Sequence, residues 1–123
     1  MQILCVDRSV LGLAQLRRNV GRAVPDAVIR SCRDPREAVA LARSEGCDVL
    51  LTEIDLGGDK WEGLHLAEQV KSINPRVNII FVTVCSEQEC AEAVLRLRVS
   101  GFITKPYETE ALSEEFANLR YPI

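Results

Sequence analysis

The sequence predicts a doubly wound α/β domain, and three observations carry that expectation. Short apolar runs recur along the chain with helical stretches between them. The run Asp48-Val49-Leu50-Leu51-Thr52-Glu53-Ile54-Asp55-Leu56-Gly57-Gly58 is nearly all apolar at its start, as a strand buried on both faces of a parallel sheet must be. It ends on carboxylates and a glycine pair, and open α/β sheets place ligands at the carboxyl ends of their strands.

Each element follows from local chemistry. Residues 2–6 read as a buried first strand, and Asp7 or Ser9 can cap a helix carrying Val10, Leu13, Leu16 and Val20. Pro25-Asp26 breaks the chain before a second strand at 27–32. Asp34-Pro35-Arg36-Glu37 starts a helix, with Asp at the cap and Pro at the first position, and Gly46 stops it. After the central strand comes a loop to Gly63, then a helix with Leu64, Leu66, Ala67 and Val70 that ends before Asn74-Pro75. Residues 78–83 form a very apolar fourth strand, and Ser86-Glu87-Gln88-Glu89 has capping-box spacing for a helix through Leu97. Residues 101–104 make a short fifth strand, followed by Lys105-Pro106 and a last helix with Leu112, Phe116 and Leu119. No repeat, linker or low-complexity run divides residues 1–123, so one domain is expected.

Composition narrows the function. With 123 residues, 47% hydrophobic and 27% charged, the chain is long enough for a real core. A net charge of −3 leaves no basic footprint, so direct nucleic-acid binding by this domain is not expected. No apolar run reaches the roughly 18 residues of a membrane span, and Met1 opens straight into Ile3-Leu4-Cys5-Val6, so no removable leader is expected. Five cysteines without a Cys-x-x-Cys pair, beside the single His65, argue against a disulfide framework and a zinc site. Free cysteines in apolar runs act as small hydrophobes, and a reduced, cytoplasmic setting is the expectation.

The topology gathers Asp7 and Arg8, Glu53 and Asp55, Thr83, and Lys105-Pro106 at one edge. With these residues in place the chain resembles a response-regulator receiver domain of two-component signalling, over essentially its whole length. The resemblance implies a flavodoxin-like sheet of order 2-1-3-4-5 with five helices. It also implies an acid pair that binds magnesium and a strand-three aspartate that accepts a phosphoryl group. Thr83 matches the hydroxyl that contacts the phosphoryl oxygens, Lys105-Pro106-Tyr107 matches the lysine and cis-proline turn, and Phe102 matches the aromatic switch residue.

The chain departs from that pattern at the reacting groups. Arg8 stands where the second acid is expected, Glu53 where the phosphoacceptor is expected, and Gly57 where proline usually follows. Two like charges ~4 Å apart repel by about 4 kcal/mol at an effective dielectric of about 20, so an Arg8 aimed into the site weakens or abolishes a magnesium ion on Asp7, Glu53 and Asp55. Glu53 carries its carboxylate about 1.5 Å further out, and a ~1 Å misplacement costs on the order of a hundredfold in rate. No cofactor and no enzyme activity are therefore expected. Instead Arg8 or Lys105 pairs with Glu53, which either imitates a phosphorylated aspartate permanently or fills a decayed pocket.

Two alternatives stand beside that reading. One is a conventional magnesium-dependent receiver that uses Asp55 as its acceptor. The other is a small flavin or nucleotide domain of the same fold, against which Asp7-Arg8-Ser9 replaces a glycine-rich phosphate loop. The resemblance further implies a sensor kinase or other regulatory protein as partner. It implies a two-fold dimer through the fourth helix, fifth strand and fifth helix, and a DNA-binding output domain beyond Ile123 in a longer transcriptional regulator. Trp61 is expected to pack over the lengthened loop, with a partner contact as the alternative, and His65 is expected to face solvent.

Overall fold

The apolar runs become five strands in the computed structural model, which describes all residues, Met1–Ile123. They are β1 (Gln2–Val6), β2 (Val28–Cys32), β3 (Val49–Thr52), β4 (Asn78–Thr83) and β5 (Gly101–Thr104). All pairs are parallel and the order is β2-β1-β3-β4-β5, as expected. Five helices cross between them: α1 (Val10–Ala23), α2 (Pro35–Glu45), α3 (Glu62–Ile73), α4 (Ala91–Arg96) and α5 (Thr109–Ala117).

Alternate strand residues serve opposite faces. Leu4, Leu50, Ile79 and Phe81 pack with residues of α2, α3 and α4, whereas Ile3, Cys5, Leu51, Ile80 and Val82 pack with Leu16 and Val20 of α1 and Leu112 of α5. Both faces being covered, every residue of β3 and β4 is buried. That is why these strands read as unbroken apolar runs. The five cysteines are unpaired, and four of them lie in the core. No helix is long and apolar enough to cross a membrane.

Capping chemistry sets the helix starts. The Ser9 hydroxyl accepts from the Gly12 N–H at 3.0 Å, Asp34 accepts from the Arg36 N–H at 2.9 Å, and Gly46 closes α2 at φ +82°. Two helices start where the sequence did not put them. The Asp59 carboxylate accepts from the Trp61 N–H at 2.7 Å and brings the start of α3 forward to Glu62. The Ser86 hydroxyl accepts from the Glu89 N–H and donates to the Glu89 carboxylate, at 3.2 Å each, but this closes only a tight turn. A 3-10 turn over Gln88–Cys90 follows, and α4 proper is the six residues Ala91–Arg96.

Beyond α5 the chain turns under the amino edge of the sheet. The buried Asn78 side chain donates to the Tyr121 carbonyl at 2.8 Å, and its oxygen accepts from the Tyr121 N–H at 2.8 Å and the Ser100 hydroxyl at 2.6 Å. The Lys71 ammonium has no hydrogen-bond acceptor and lies over the Tyr121 ring, 5.1 Å from its centre.

Candidate functional site

Parallel pairing brings the ends of β1, β3 and β5 to one edge, and with them Asp7, Glu53 and Lys105. Asp7 is 3% exposed and Glu53 is 8% exposed. The Lys105 ammonium lies 2.7 Å from Asp7 Oδ2 and 3.0 Å from Glu53 Oε2. The other carboxylate oxygens are also taken: Asp7 Oδ1 accepts from the Ser9 N–H at 2.9 Å, and Glu53 Oε1 from the Ile54 N–H at 2.8 Å. Burial is the largest single influence on the Lys105 ammonium and lowers its pKa. The hydrogen bonds and charges of Asp7 and Glu53 together outweigh it, and the net pKa is raised. The lysine is therefore held as a cation between two buried carboxylates.

Two glycines make room for this group, and both escaped the sequence reading. A Cβ on Gly12 would sit 2.7 Å from Asp7 Oδ2, so the first turn of α1 must be bare where it passes the carboxylate. A Cβ on Gly63 would sit 2.1 Å from the Glu53 carbonyl oxygen, and the Gly63 N–H instead donates to Ile54 O at 2.7 Å. At Gly12 the available signal was a glycine inside a helical pattern, which marks close approach of another chain segment, whereas Gly63 stood at the end of the expected loop and gave no such signal.

Arg8 does not join the group. Its side chain is exposed and lies against Gly57, where a Cβ would come 2.6 Å from Arg8 Nη1. Gly57 has φ +96°, a conformation that suits glycine. Of the two cations expected to pair with Glu53, Lys105 does so, and Arg8 roofs the loop after β3. Asp55 is exposed, and its Oδ1 accepts from the Gly57 N–H at 2.9 Å. It lines the mouth of the same cleft with Arg8, Lys60 and Cys85, outside the buried ionic group.

Thr83 is fully buried at the end of β4, and its hydroxyl oxygen accepts from the Cys85 N–H at 3.2 Å. Phe102 is half-buried on β5, its ring edge-on to Phe81 with centroids 6.2 Å apart. The peptide between Lys105 and Pro106 is cis. Trp61 packs against the core with Lys60 over its ring at 4.8 Å, and His65 is exposed beside Asp59 at 3.6 Å.

The family model described as "Response regulator receiver domain" matches residues 3–117. The chain belongs to the response regulator receiver family. A curated relative, the Fimbriae Z protein of Salmonella typhimurium, is 30% identical over 78 residues, 63% of this chain and 36% of that protein. The chain thus spans about a third of the length of that relative. Solved receivers share the fold. A response regulator from Burkholderia pseudomallei, solved with a phosphorylated aspartic acid, calcium and citrate, superposes with a TM-score of 0.80 at 22% identity, covering 97% of this chain and 66% of that one. A CheY-like receiver from Methanospirillum hungatei gives a TM-score of 0.80 at 22% identity, covering 94% and 90%. RcsB from Salmonella enterica serovar Typhimurium, solved on the rprA promoter with a phosphomimetic, gives 0.80 at 23% identity, covering 98% and 68%.

Receivers as a family bind magnesium at the phosphorylation site. Magnesium demands near-octahedral oxygen ligation at about 2.0–2.1 Å. In this receiver the buried carboxylate oxygens of Asp7 and Glu53 are already engaged, and Arg8 stands where a further acid is expected. No group of three His, Cys, Asp or Glu side chains is placed to hold a metal. The donor set does not fit the ion.

Proposed function

We propose that this receiver signals without a phosphorylation cycle, with the Lys105 ammonium doing at Asp7 and Glu53 what a divalent cation does in phosphorylatable relatives. The observation that carries the reading is the two short contacts of one ammonium, 2.7 Å to Asp7 and 3.0 Å to Glu53, in a buried edge. Phosphoryl transfer to a carboxylate depends on positioning and on cations that neutralise the incoming oxygens. Here the acceptor carboxylate is displaced by one methylene and already neutralised from within. Glu53 is a fixed single charge in the place of a phosphoaspartate's roughly two. Asp55 is the alternative acceptor; it lines the mouth of the same cleft, outside the buried ion group, with Oδ1 on the Gly57 N–H.

The domain then acts as a signalling module and not as an enzyme, through protein contacts in a cytoplasmic setting. Thr83 and Phe102 are the elements whose positions the edge biases, and a sensor kinase or another regulatory protein is the partner class. The face of α4, β5 and α5 offers a homodimer, with Leu95 78% exposed among charges of both signs. A transcriptional output belongs to a DNA-binding domain in a longer protein, as the relatives suggest.

Incubation with acetyl phosphate and magnesium, read by intact-mass spectrometry, tests the central claim. No mass gain is expected, and stoichiometric gain of one phosphoryl group overturns it. If label appears and survives Asp55→Asn, Asp55 is excluded as its carrier. Light scattering across a concentration series tests the dimer, and a strictly monomeric series removes it.

A further inference from the structure

The largest cleft in the molecule, about 490 Å³, adjoins the acidic edge, between α1 and the turn from β5 into α5. Its size falls in the range of small-molecule sites. The α1 wall is built from Gln15, Arg18, Asn19 and Arg22, spaced so that they share one helix face. Neither Arg18 nor Arg22 makes an ion pair, so two guanidinium groups one turn apart are left free. Asn19 is oriented by Thr109, whose hydroxyl donates to Asn19 Oδ1 at 3.1 Å, which leaves the amide nitrogen as a donor. The Tyr107 ring lines the cleft beside Asn19, its hydroxyl sealed from solvent. Glu108 is the only carboxylate in the lining, and the Lys105 charge is already spent on Asp7 and Glu53. Val84, 74% exposed, and Pro106 give the cleft an apolar end.

We infer that this cleft binds a small organic phosphate. Two unpaired guanidiniums one turn apart match a dianion and offer bidentate donors to it. The amide of Asn19 supplies a further donor, and the Val84–Pro106 end takes a flat, less polar body. Lys105 and Val84 line this cleft and the acidic edge alike, so an occupant sits one side chain away from the ion group. The inference does not depend on how the acidic edge is used, and its test leaves that edge intact.

Isothermal titration of the full chain with AMP, phenyl phosphate and ribose 5-phosphate, beside inorganic phosphate, reads the site directly. At least one organic phosphate is expected to bind with a Kd below ~1 mM, and Arg18→Gln or Arg22→Gln is expected to weaken it about tenfold. Amide chemical shifts move at Gln15–Arg22 and Tyr107–Thr109 and not around Trp61. No binding by any organic phosphate up to ~10 mM overturns the inference. So does an affinity indifferent to both arginine variants, or inorganic phosphate binding as tightly as the best organic one.

Discussion

At the carboxyl edge of the sheet three charged side chains, Asp7, Glu53 and Lys105, hold one another, whereas at the amino edge the neutral side chains of Asn78 and Ser100 hold the main chain of Arg120 and Tyr121. The half-buried Asp48 adds a bond to the Gln2 N–H at the amino edge, again without an ion pair. Both arrangements tie strand ends together, yet their energetics differ. Burying ions costs several kcal/mol each, and the attraction between them roughly repays it. A neutral amide group does the same mechanical work with far less at stake. Closing a strand end does not require ions. The difference sets the carboxyl edge apart as the electrically responsive one, where adding or removing one group unbalances a buried charge.

Several variants sharpen or break this contrast. The largest effect is expected of Arg8→Asp combined with Glu53→Asp, which rebuilds a three-carboxylate edge with the shorter acceptor. Magnesium-dependent labelling by acetyl phosphate is expected to go from none to stoichiometric, and continued absence of label in a folded double variant counts against the two substitutions as its cause. Lys105→Met leaves two buried carboxylates without a cation and is expected to cost about 3–5 kcal/mol in urea unfolding at neutral pH. Glu53→Gln added to it should recover part of that loss, and full additivity would show that the two side chains are not coupled. Asn78→Ala removes four hydrogen bonds at the other edge and is expected to cost about 2 kcal/mol, unaffected by salt. Arg8→Ala is expected to change stability by less than about 0.5 kcal/mol, because the exposed guanidinium stands outside the ion group.

The pH dependence of stability separates the edges further. The raised pKa of Lys105 means that the folded state holds the proton more tightly than the unfolded chain does. Its contribution is complete at neutral pH and is lost only as pH climbs past the ordinary 10.5 toward the folded value. Burial pushes Cys32 up to about 11 and Cys5 and Cys47 up to about 12, from 9.0 in the open chain. Those thiols make stability fall from about pH 9 upward. Urea midpoints measured from neutral to alkaline pH are expected to hold level and then drop. In Lys105→Met the steepest part of that drop should shrink, whereas Asn78→Ala should leave the curve's shape unchanged.

Much of this molecule was legible in its sequence because the signals were local. Continuous apolar runs gave five strands buried on both faces, and Asp34-Pro35 and Gly46 bounded α2 within a residue. The positions of Asp7, Glu53, Thr83 and Lys105 followed from strand ends alone. What the sequence left open depended on where long side chains go. Arg8 and Lys105 were equal candidates for Glu53, and the choice rests on Arg8 folding over Gly57, whose positive φ cannot be read from residue type. The short α4 was missed because a capping-box pattern specifies one turn and not the length of the helix behind it. Asn78 at the head of an apolar strand was a visible oddity, but its partner lies 43 residues away. The cleft beside Tyr107 needs α1 and α5 side by side, which no short window contains.

The lysine between Asp7 and Glu53 is a counter-ion on a tether. A dissolved metal comes and goes with its concentration, but a side chain is present at an effective concentration fixed by the fold. If Lys105 takes the cation's place as proposed, chelators are expected to leave this edge unchanged, and swings in magnesium to leave its charge balance alone. On that proposal, whatever resets the domain arrives as another molecule pressing on the protein.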